Sequence, residues 1–289
     1  MGDIYFPHLG INIESINRVA FKIGNFNIYW YGIFIALGAM LGIALCMKEA
    51  KRTGQSQDIY SDFAFMGIVV GVCCARVYYL IFHGDSLLDF FKFRDGGLAI
   101  YGGILGGIAT ALIFAKVKKI NFFKLADTCI MSVLVGQIFG RWGNFFNREA
   151  FGKYTDSLFA MALKTEQVNG LVVKGNEAIY QGHATYPVTV FNDVSYIQVH
   201  PTFLYECMWN ICLLAVLFLI RKNKKFDGQL LAMYFIGYGM GRFFIESLRT
   251  DRLLILGIPV SMAVSALLIL IGTVIFIVSK NLKKNEKSS

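Results

Sequence analysis

The chain is short of charge, of proline and of histidine, and each shortage narrows what it can be. Only 16% of its 289 residues are charged, where soluble globular domains carry roughly a quarter. It has 4 prolines and 4 histidines. A charge-poor, proline-poor chain is neither a disordered tail nor a collagen-like repeat. The 6 cysteines fall in apolar stretches without ligand spacing, which argues against a disulfide scaffold and a zinc site. The histidines His8, His83, His183 and His200 are scattered, and no His-x-x-x-His or paired-carboxylate pattern accompanies them. No metal and no cofactor is expected. Internal repeats and low-complexity segments are also missing.

What the chain does have is apolar surface. Hydrophobic residues make up 56%, with 26 phenylalanines and 29 glycines, and the mean hydropathy is +0.55. That is the composition of a membrane protein. Its net charge of +9 suits basic cytoplasmic loops better than a nucleic-acid surface, so no nucleic-acid partner is expected.

A hydrocarbon core about 30 Å thick needs ~20 mostly apolar residues per helix. Seven stretches meet or approach this: 28–47, 63–82, 98–115, 125–146, 202–220, 229–248 and 259–279. The fourth is the weakest, because Asp127 and Arg141 leave a short apolar centre. Alternate short connections collect 15 of the 28 basic residues, among them Lys48, Lys51 and Arg52, the run Lys116 to Lys124, Arg221 to Lys225, and the C-terminal lysines. The positive-inside rule then puts the C-terminus in the cytoplasm and the N-terminus outside. No cleavable signal peptide is expected, since the first apolar run begins near residue 28 without a basic leader.

One long polar connection remains, between Asn147 and Gln198, and this topology places it outside. Segments 171–173, 185–191 and 196–199 are rich in β-branched and aromatic residues and read as strands. The expected fold is therefore an all-α integral membrane protein, with seven transmembrane helices and a small extracytoplasmic β-containing cap. Its expected parts are an extracytoplasmic N-terminal segment (1–27), helices one to four (28–146), the cap (147–201), helices five to seven (202–279) and a cytoplasmic tail (280–289).

Polar residues inside spans are costly and usually face a cavity or a partner. Here they gather toward one side: Tyr31, Arg76, Tyr101, Arg141, Asn144 with Glu149 just beyond, His200, Tyr205 and Glu206, then Tyr238, Arg242 and Glu246. Interfacial anchoring explains Tyr31 or Arg76 singly. It does not explain Arg242 and Glu246, well inside a span. Tyr238, Arg242 and Glu246 are spaced by four and share one helical face. The bland alternative is an Arg242–Glu246 pair that merely lowers insertion cost. The densest segment is GRWGNFFNREAFG, Gly140 to Gly152, with a guanidinium, amides, a carboxylate and glycines that let backbone come close. Lacking a P-loop lysine or a dinucleotide fingerprint, it reads as part of an anion-binding cavity open to the outer leaflet. A transporter or flippase for an anionic lipid would spread polar groups through the full depth. A purely structural scaffold leaves the buried Arg–Glu face without a reason.

That segment closely resembles the signature of the bacterial prolipoprotein diacylglyceryl transferases. Other stretches agree in order: YWYG at Tyr29 to Gly32, DGGLAIYGG at Asp95 to Gly103, HPTFLYE at His200 to Glu206, and IGYGMGRFFIE at Ile236 to Glu246. The resemblance implies transfer of diacylglyceryl from phosphatidylglycerol to the lipobox cysteine thiol of a preprolipoprotein signal peptide, with release of glycerol phosphate at the bacterial plasma membrane. By its motifs Arg141, Asn144, Glu149 and Gly152 carry the signature's functional positions, Tyr31 the tyrosine of the first helix, and Tyr238, Arg242 and Glu246 those of the sixth. Arg141 and Arg242 suit a phosphodiester, and Arg76 is a further candidate for holding substrate. Many relatives carry His where this chain has Tyr101. That departure leaves the base open between Tyr101, Glu149 and a thiolate favoured by the arginines.

Overall fold

The computed structural model describes residues 2–92, 97–182, 184–255 and 257–286, with side chains as far as Asn281. Arg94, the Asp95–Gly96 start of the DGGLAIYGG run, His183 and the end of the basic tail lie outside the described residues.

Seven long helices form where the apolar runs predict them: α1 (Trp30–Arg52), α2 (Gln57–His83), α3 (Ile100–Val117), α4 (Phe122–Asn147), α5 (Thr202–Ile220), α6 (Gln229–Leu248) and α7 (Val260–Glu286). Local chemistry sets several ends. The Asn121 side chain accepts from the amides of Phe123 (2.8 Å) and Lys124 (3.2 Å), capping α4. Gly84 closes α2 in the left-handed conformation at φ 74°. Among the described residues six helices are long and apolar enough to cross a membrane; α6, which carries Tyr234, Tyr238, Arg242 and Glu246, falls short. The fold is that of a multi-pass membrane protein, and α4 is continuous despite Asp127 and Arg141.

Neighbouring helices run antiparallel and touch through glycine. A Cβ at Gly42 on α1 would lie 3.0 Å from the Ser132 carbonyl on α4, and one at Gly38 would lie 2.9 Å from Phe139 Cβ. Gly106 on α3 meets Cys74 Cβ of α2 at 2.8 Å in the same way. Gly239 on α6 meets the Ser265 carbonyl of α7 at 2.8 Å, and Gly272 returns the contact to the Ala232 carbonyl. With no hydrophobic drive between helices in lipid, such close backbone approach is what dispersion requires.

A seven-stranded antiparallel sheet sits on one end of the helices. Its strands are β1 (Ile4–Phe6), β2 (Ile11–Ile13), β5 (Met161–Lys164), β6 (Leu171–Lys174), β7 (Glu177–Tyr180), β8 (Ala184–Phe191) and β9 (Val194–Val199), in the order β2-β1-β5-β9-β8-β7-β6. The three strands read from the sequence are β6, β8 and β9. The sheet is larger than a small cap and draws β1 and β2 from the N-terminal segment. Strands of three or four residues give no readable period, and the Ile4–Leu163 pairing is wholly non-local. An all-α description therefore covers the helices alone. Ile4, Leu163, Ile197 and Val199 pack in one buried cluster with Phe145 at the end of α4 and Phe203 at the start of α5. Two hairpins stand apart from this sheet: β3 (Val19–Ile23) with β4 (Phe26–Tyr29) before α1, and β10 (Leu254–Ile255) with β11 (Ile258–Pro259) before α7.

At the opposite end, buried carboxylates tie the helices together. Asp127 of α4 accepts from the amides of Gly228 (2.8 Å) and Leu231 (2.9 Å), capping α6 from a neighbouring helix, and pairs with Lys224 at 3.0 Å. Glu49 of α1 likewise pairs with Arg52 and, at 2.7 Å, with Arg221. Replacing Asp127 with Ala should strip both capping bonds and cost about 2–4 kcal/mol, with Asn recovering part of the loss. Thermal unfolding in detergent micelles measures this; an Asp127→Ala melt equal to wild type would show that the cap does not hold α6.

Candidate functional site

The polar residues of α4, α5 and α6 meet where these helices reach the sheet. Glu206, 2% exposed, lies in the second turn of α5. Its Oε1 pairs with Arg141 Nη2 of α4 at 2.8 Å, and its Oε2 accepts from Arg242 Nη1 of α6 at 2.8 Å. One carboxylate therefore holds two guanidiniums from different helices. Arg242 also pairs through Nη2 with Glu246 at 2.7 Å, one turn on along α6. Glu246 lies 3.9 Å from Arg249, which forms a two-pronged pair with Asp251 at 2.9 and 2.7 Å. Three arginines thus alternate with three carboxylates in a chain whose two inner carboxylates, Glu206 and Glu246, are buried and whose other members are partly so, the arrangement that makes ions tolerable away from water.

From Arg141 the network runs the other way into the signature segment. Arg141 Nη1 donates to Asn144 Oδ1 at 3.2 Å, and Asn144 Nδ2 donates to Glu149 Oε1 at 2.9 Å. Asn147 donates to the same oxygen at 3.1 Å. Glu149, Asn147 and Tyr31 line a cavity of about 770 Å³, together with Arg18, Asn27 and the α1 face at Gly32, Ile33 and Ala36. The Tyr31 ring rests directly on Gly143, leaving no room there for a Cβ. The cavity is polar at its Asn–Glu–Arg rim and apolar along α1.

Backbone contacts lock the signature segment in place. Gly152 donates to the His200 carbonyl at 2.9 Å and forms a β-bridge with Arg249. A Cβ on Gly152 would lie 2.9 Å from the Leu248 carbonyl and 2.8 Å from His200 Cβ. The close approach this glycine permits is to α6 and to the strand end, so it joins the two arginine-bearing regions. From the sheet, Tyr186 donates to the Gly152 carbonyl at 3.1 Å and meets Thr250 at 2.8 Å. Burial pushes the Tyr186 phenol up to about 12, so it remains a donor. Burial also holds the His200 imidazole below its usual range, which keeps it uncharged at neutral pH.

Arg141, Asn144, Glu149, Arg242 and Glu246 are thus drawn into one network, and Tyr31 borders it at the cavity. Tyr238 lies one turn before Arg242, stacked on Tyr234 with centroids 5.4 Å apart. Arg76 is 3% exposed and donates to the carbonyls of Asp89 (2.8 Å), Phe90 (3.3 Å), Lys92 (2.9 Å) and Gly97 (3.1 Å), holding the α2–α3 connection. Tyr101 stands in the first turn of α3, and no hydrogen bond joins it to the arginines among the described residues. Four contributors went unread in the sequence: Glu206 as the bridging carboxylate, Arg249, Asp251, and Gln137, which donates to Tyr234 at 2.8 Å. The HPTFLYE motif was the signal for Glu206.

A bundle of apolar helices with a chain of arginines and carboxylates where it meets the sheet defines a multi-pass membrane protein with a polar site at that end. Residues 18–278 match the sequence profile of the prolipoprotein diacylglyceryl transferases. The phosphatidylglycerol–prolipoprotein diacylglyceryl transferase of Clostridioides difficile strain 630 is 38% identical over 277 residues, covering 94% of this chain and 99% of that protein. The enzyme of the same name from Oceanobacillus iheyensis is 38% identical over 280 residues, covering 94% of this chain and 91% of its own length. That of Bacillus licheniformis is 38% identical over 266 residues, covering 89% and 90%. The chain belongs to the prolipoprotein diacylglyceryl transferase family.

Proposed function

We propose that this chain moves the diacylglyceryl group of phosphatidylglycerol onto the lipobox cysteine of a preprolipoprotein, the first step of bacterial lipoprotein maturation. The observation that carries the chemistry is the pair of guanidiniums, Arg141 and Arg242, tied to one carboxylate. In the reaction a thiolate attacks the glycerol carbon that bears the phosphate. A carbon–sulfur bond forms, the carbon–oxygen bond breaks, and glycerol phosphate leaves with the electron pair. Negative charge grows on the departing phosphate, where two planar cations stabilise it most.

Each remaining residue has a part in this reading. Glu206 and Asn144 orient Arg141, and Glu206 with Glu246 orients Arg242. Glu149 accepts the thiol proton or hydrogen-bonds the glycerol head. A free thiol near pKa ~8.5 needs only modest help beside two arginines. Tyr31, Tyr101 and Tyr238 border the lipid head, Gly152 keeps the signature segment against α6, and Arg76 holds the connection leading to Tyr101. All seven helices cross the membrane, α6 with its charges paired. The N-terminus and the sheet lie outside, and the basic ends and C-terminus lie in the cytoplasm. The site faces the outer leaflet, with the acyl chains among the helices.

Purified protein supplied with phosphatidylglycerol and a lipobox peptide should form the thioether and release glycerol phosphate. A lipid transporter or a scaffold would release none. In that assay Arg141→Lys should lose at least about 100-fold in turnover, because lysine keeps the charge but not the fork that spans two oxygens. Near-normal turnover would remove the two-pronged role. Tyr101→Phe should lower the rate modestly and evenly between about pH 6.5 and 9.5. A severe loss at neutral pH that closes toward the alkaline end would make Tyr101 the base.

A further inference from the structure

The β3–β4 hairpin has no task in the chemistry above, and its side chains are sorted in a way that water does not explain. The strands pair Phe21 with Ile28, Lys22 with Asn27 and Ile23 with Phe26, around the two-residue turn at Gly24 and Asn25. Cross-strand partners share a face, and faces alternate along a strand. Phe21, Ile23, Phe26 and Ile28 therefore make one wholly apolar face, and Lys22 with Asn27 the other. Phe21 is 52% exposed, Ile23 61% and Phe26 52%. The hairpin is a separate two-stranded sheet. An isolated two-stranded hairpin is at best marginal in water and needs something to cover its apolar face.

Continuity identifies the cover. β4 ends at Tyr29 and α1, a membrane-crossing helix, begins at Trp30. The hairpin therefore sits where the lipid-facing surface of α1 reaches the membrane border, and Lys22 on its polar face suits anionic headgroups. The β10–β11 hairpin also enters an apolar helix, α7, at the same end and exposes apolar side chains, Leu254 at 56%, Ile255 at 59% and Ile258 at 58%, though on both of its faces. Asn27, Ile28 and Tyr29 of β4 also form one wall of the cavity that holds Tyr31 and Glu149.

We propose that the β3–β4 hairpin lies in the headgroup layer of an anionic phospholipid leaflet, apolar face down, and keeps the Tyr31–Glu149 cavity open to lipid at the membrane surface. The seating rests on the hairpin alone; the entry role rests also on the transferase reading. Seated this way, the hairpin ties the cavity mouth to the depth at which phospholipid heads lie. A lipid then reaches Glu149 by lateral movement, without leaving the leaflet.

Two measurements on the full chain in nanodiscs of phosphatidylglycerol and phosphatidylcholine decide it. Phe21→Trp adds a fluorophore at the apolar face, read as the increment over wild type. Lipids brominated high on their acyl chains should quench about half or more of that increment, and aqueous acrylamide much less. Stronger quenching by acrylamide than by bromolipid would overturn the seating. Phe21→Ser combined with Ile23→Ser should raise the KM for bilayer phosphatidylglycerol about five-fold or more, with kcat within about twofold and micellar short-chain lipid used as before. An unchanged bilayer KM, or equal losses in bilayer and micelle, would overturn the entry role. If wild type releases no glycerol phosphate, the transferase reading and the entry role fail together, and the quenching result still settles the seating.

Discussion

Two guanidiniums 101 residues apart in sequence share the carboxylate of Glu206, and the polar network at the sheet end of the helices is organised around that pairing. A lone buried arginine in a membrane protein is costly. Two of them side by side repel each other. The carboxylate resolves both problems, because each oxygen takes one guanidinium at 2.8 Å and fixes its plane. Asn144 and Glu246 then fix the second edge of each arginine. The result is a pair of cations whose positions are already set by their neighbours, the preorganisation on which the proposed stabilisation of a departing phosphate depends.

The rest of the fold serves to bring α4, α5 and α6 together with that geometry. Glycine contacts hold α1 against α4 and α7 against α6. At the far end Asp127 reaches from α4 to cap α6, so the two arginine-bearing helices are joined at both ends. At the near end Gly152 is bonded to His200 and bridged to Arg249, and Tyr186 of the sheet secures its carbonyl. The sheet thus acts as a clamp over the network, with its buried face on Phe145 and Phe203 at the mouths of α4 and α5.

Much of this was legible in the sequence, and the parts that were not share a cause. Helices were visible as apolar runs, and the i, i+4 spacing of Arg242 and Glu246 gave a pair that the structure contains. Arg141, Asn144 and Glu149 lie within nine residues of one another, and their local hydrogen bonds follow from that nearness. Glu206 was visible as a polar residue at the mouth of a helix and as the last residue of the HPTFLYE motif, but not as a bridge. Its partners lie 65 residues before it and 36 after, and no period marks such a contact. The same applies to Asp127, which weakened the reading of the fourth span because its capping target is on α6. Gly152 was read as making room for a ligand, whereas the room it makes is for the Leu248 carbonyl and His200. Strands β1, β2, β5 and β7 are too short to carry a period, and β1 pairs across more than 150 residues.

The most direct measurement is the steady-state kinetics of Glu206→Gln with phosphatidylglycerol and a lipobox peptide. Glutamine keeps the size and one acceptor oxygen but removes the charge that holds both guanidiniums. If the shared carboxylate sets the arginine pair, kcat should fall by about 100-fold or more while the KM for lipid moves only a few-fold, as expected when transition-state stabilisation is lost and ground-state binding is kept. Turnover within about threefold of wild type would contradict this, and would mean that Arg141 and Arg242 hold their positions without Glu206.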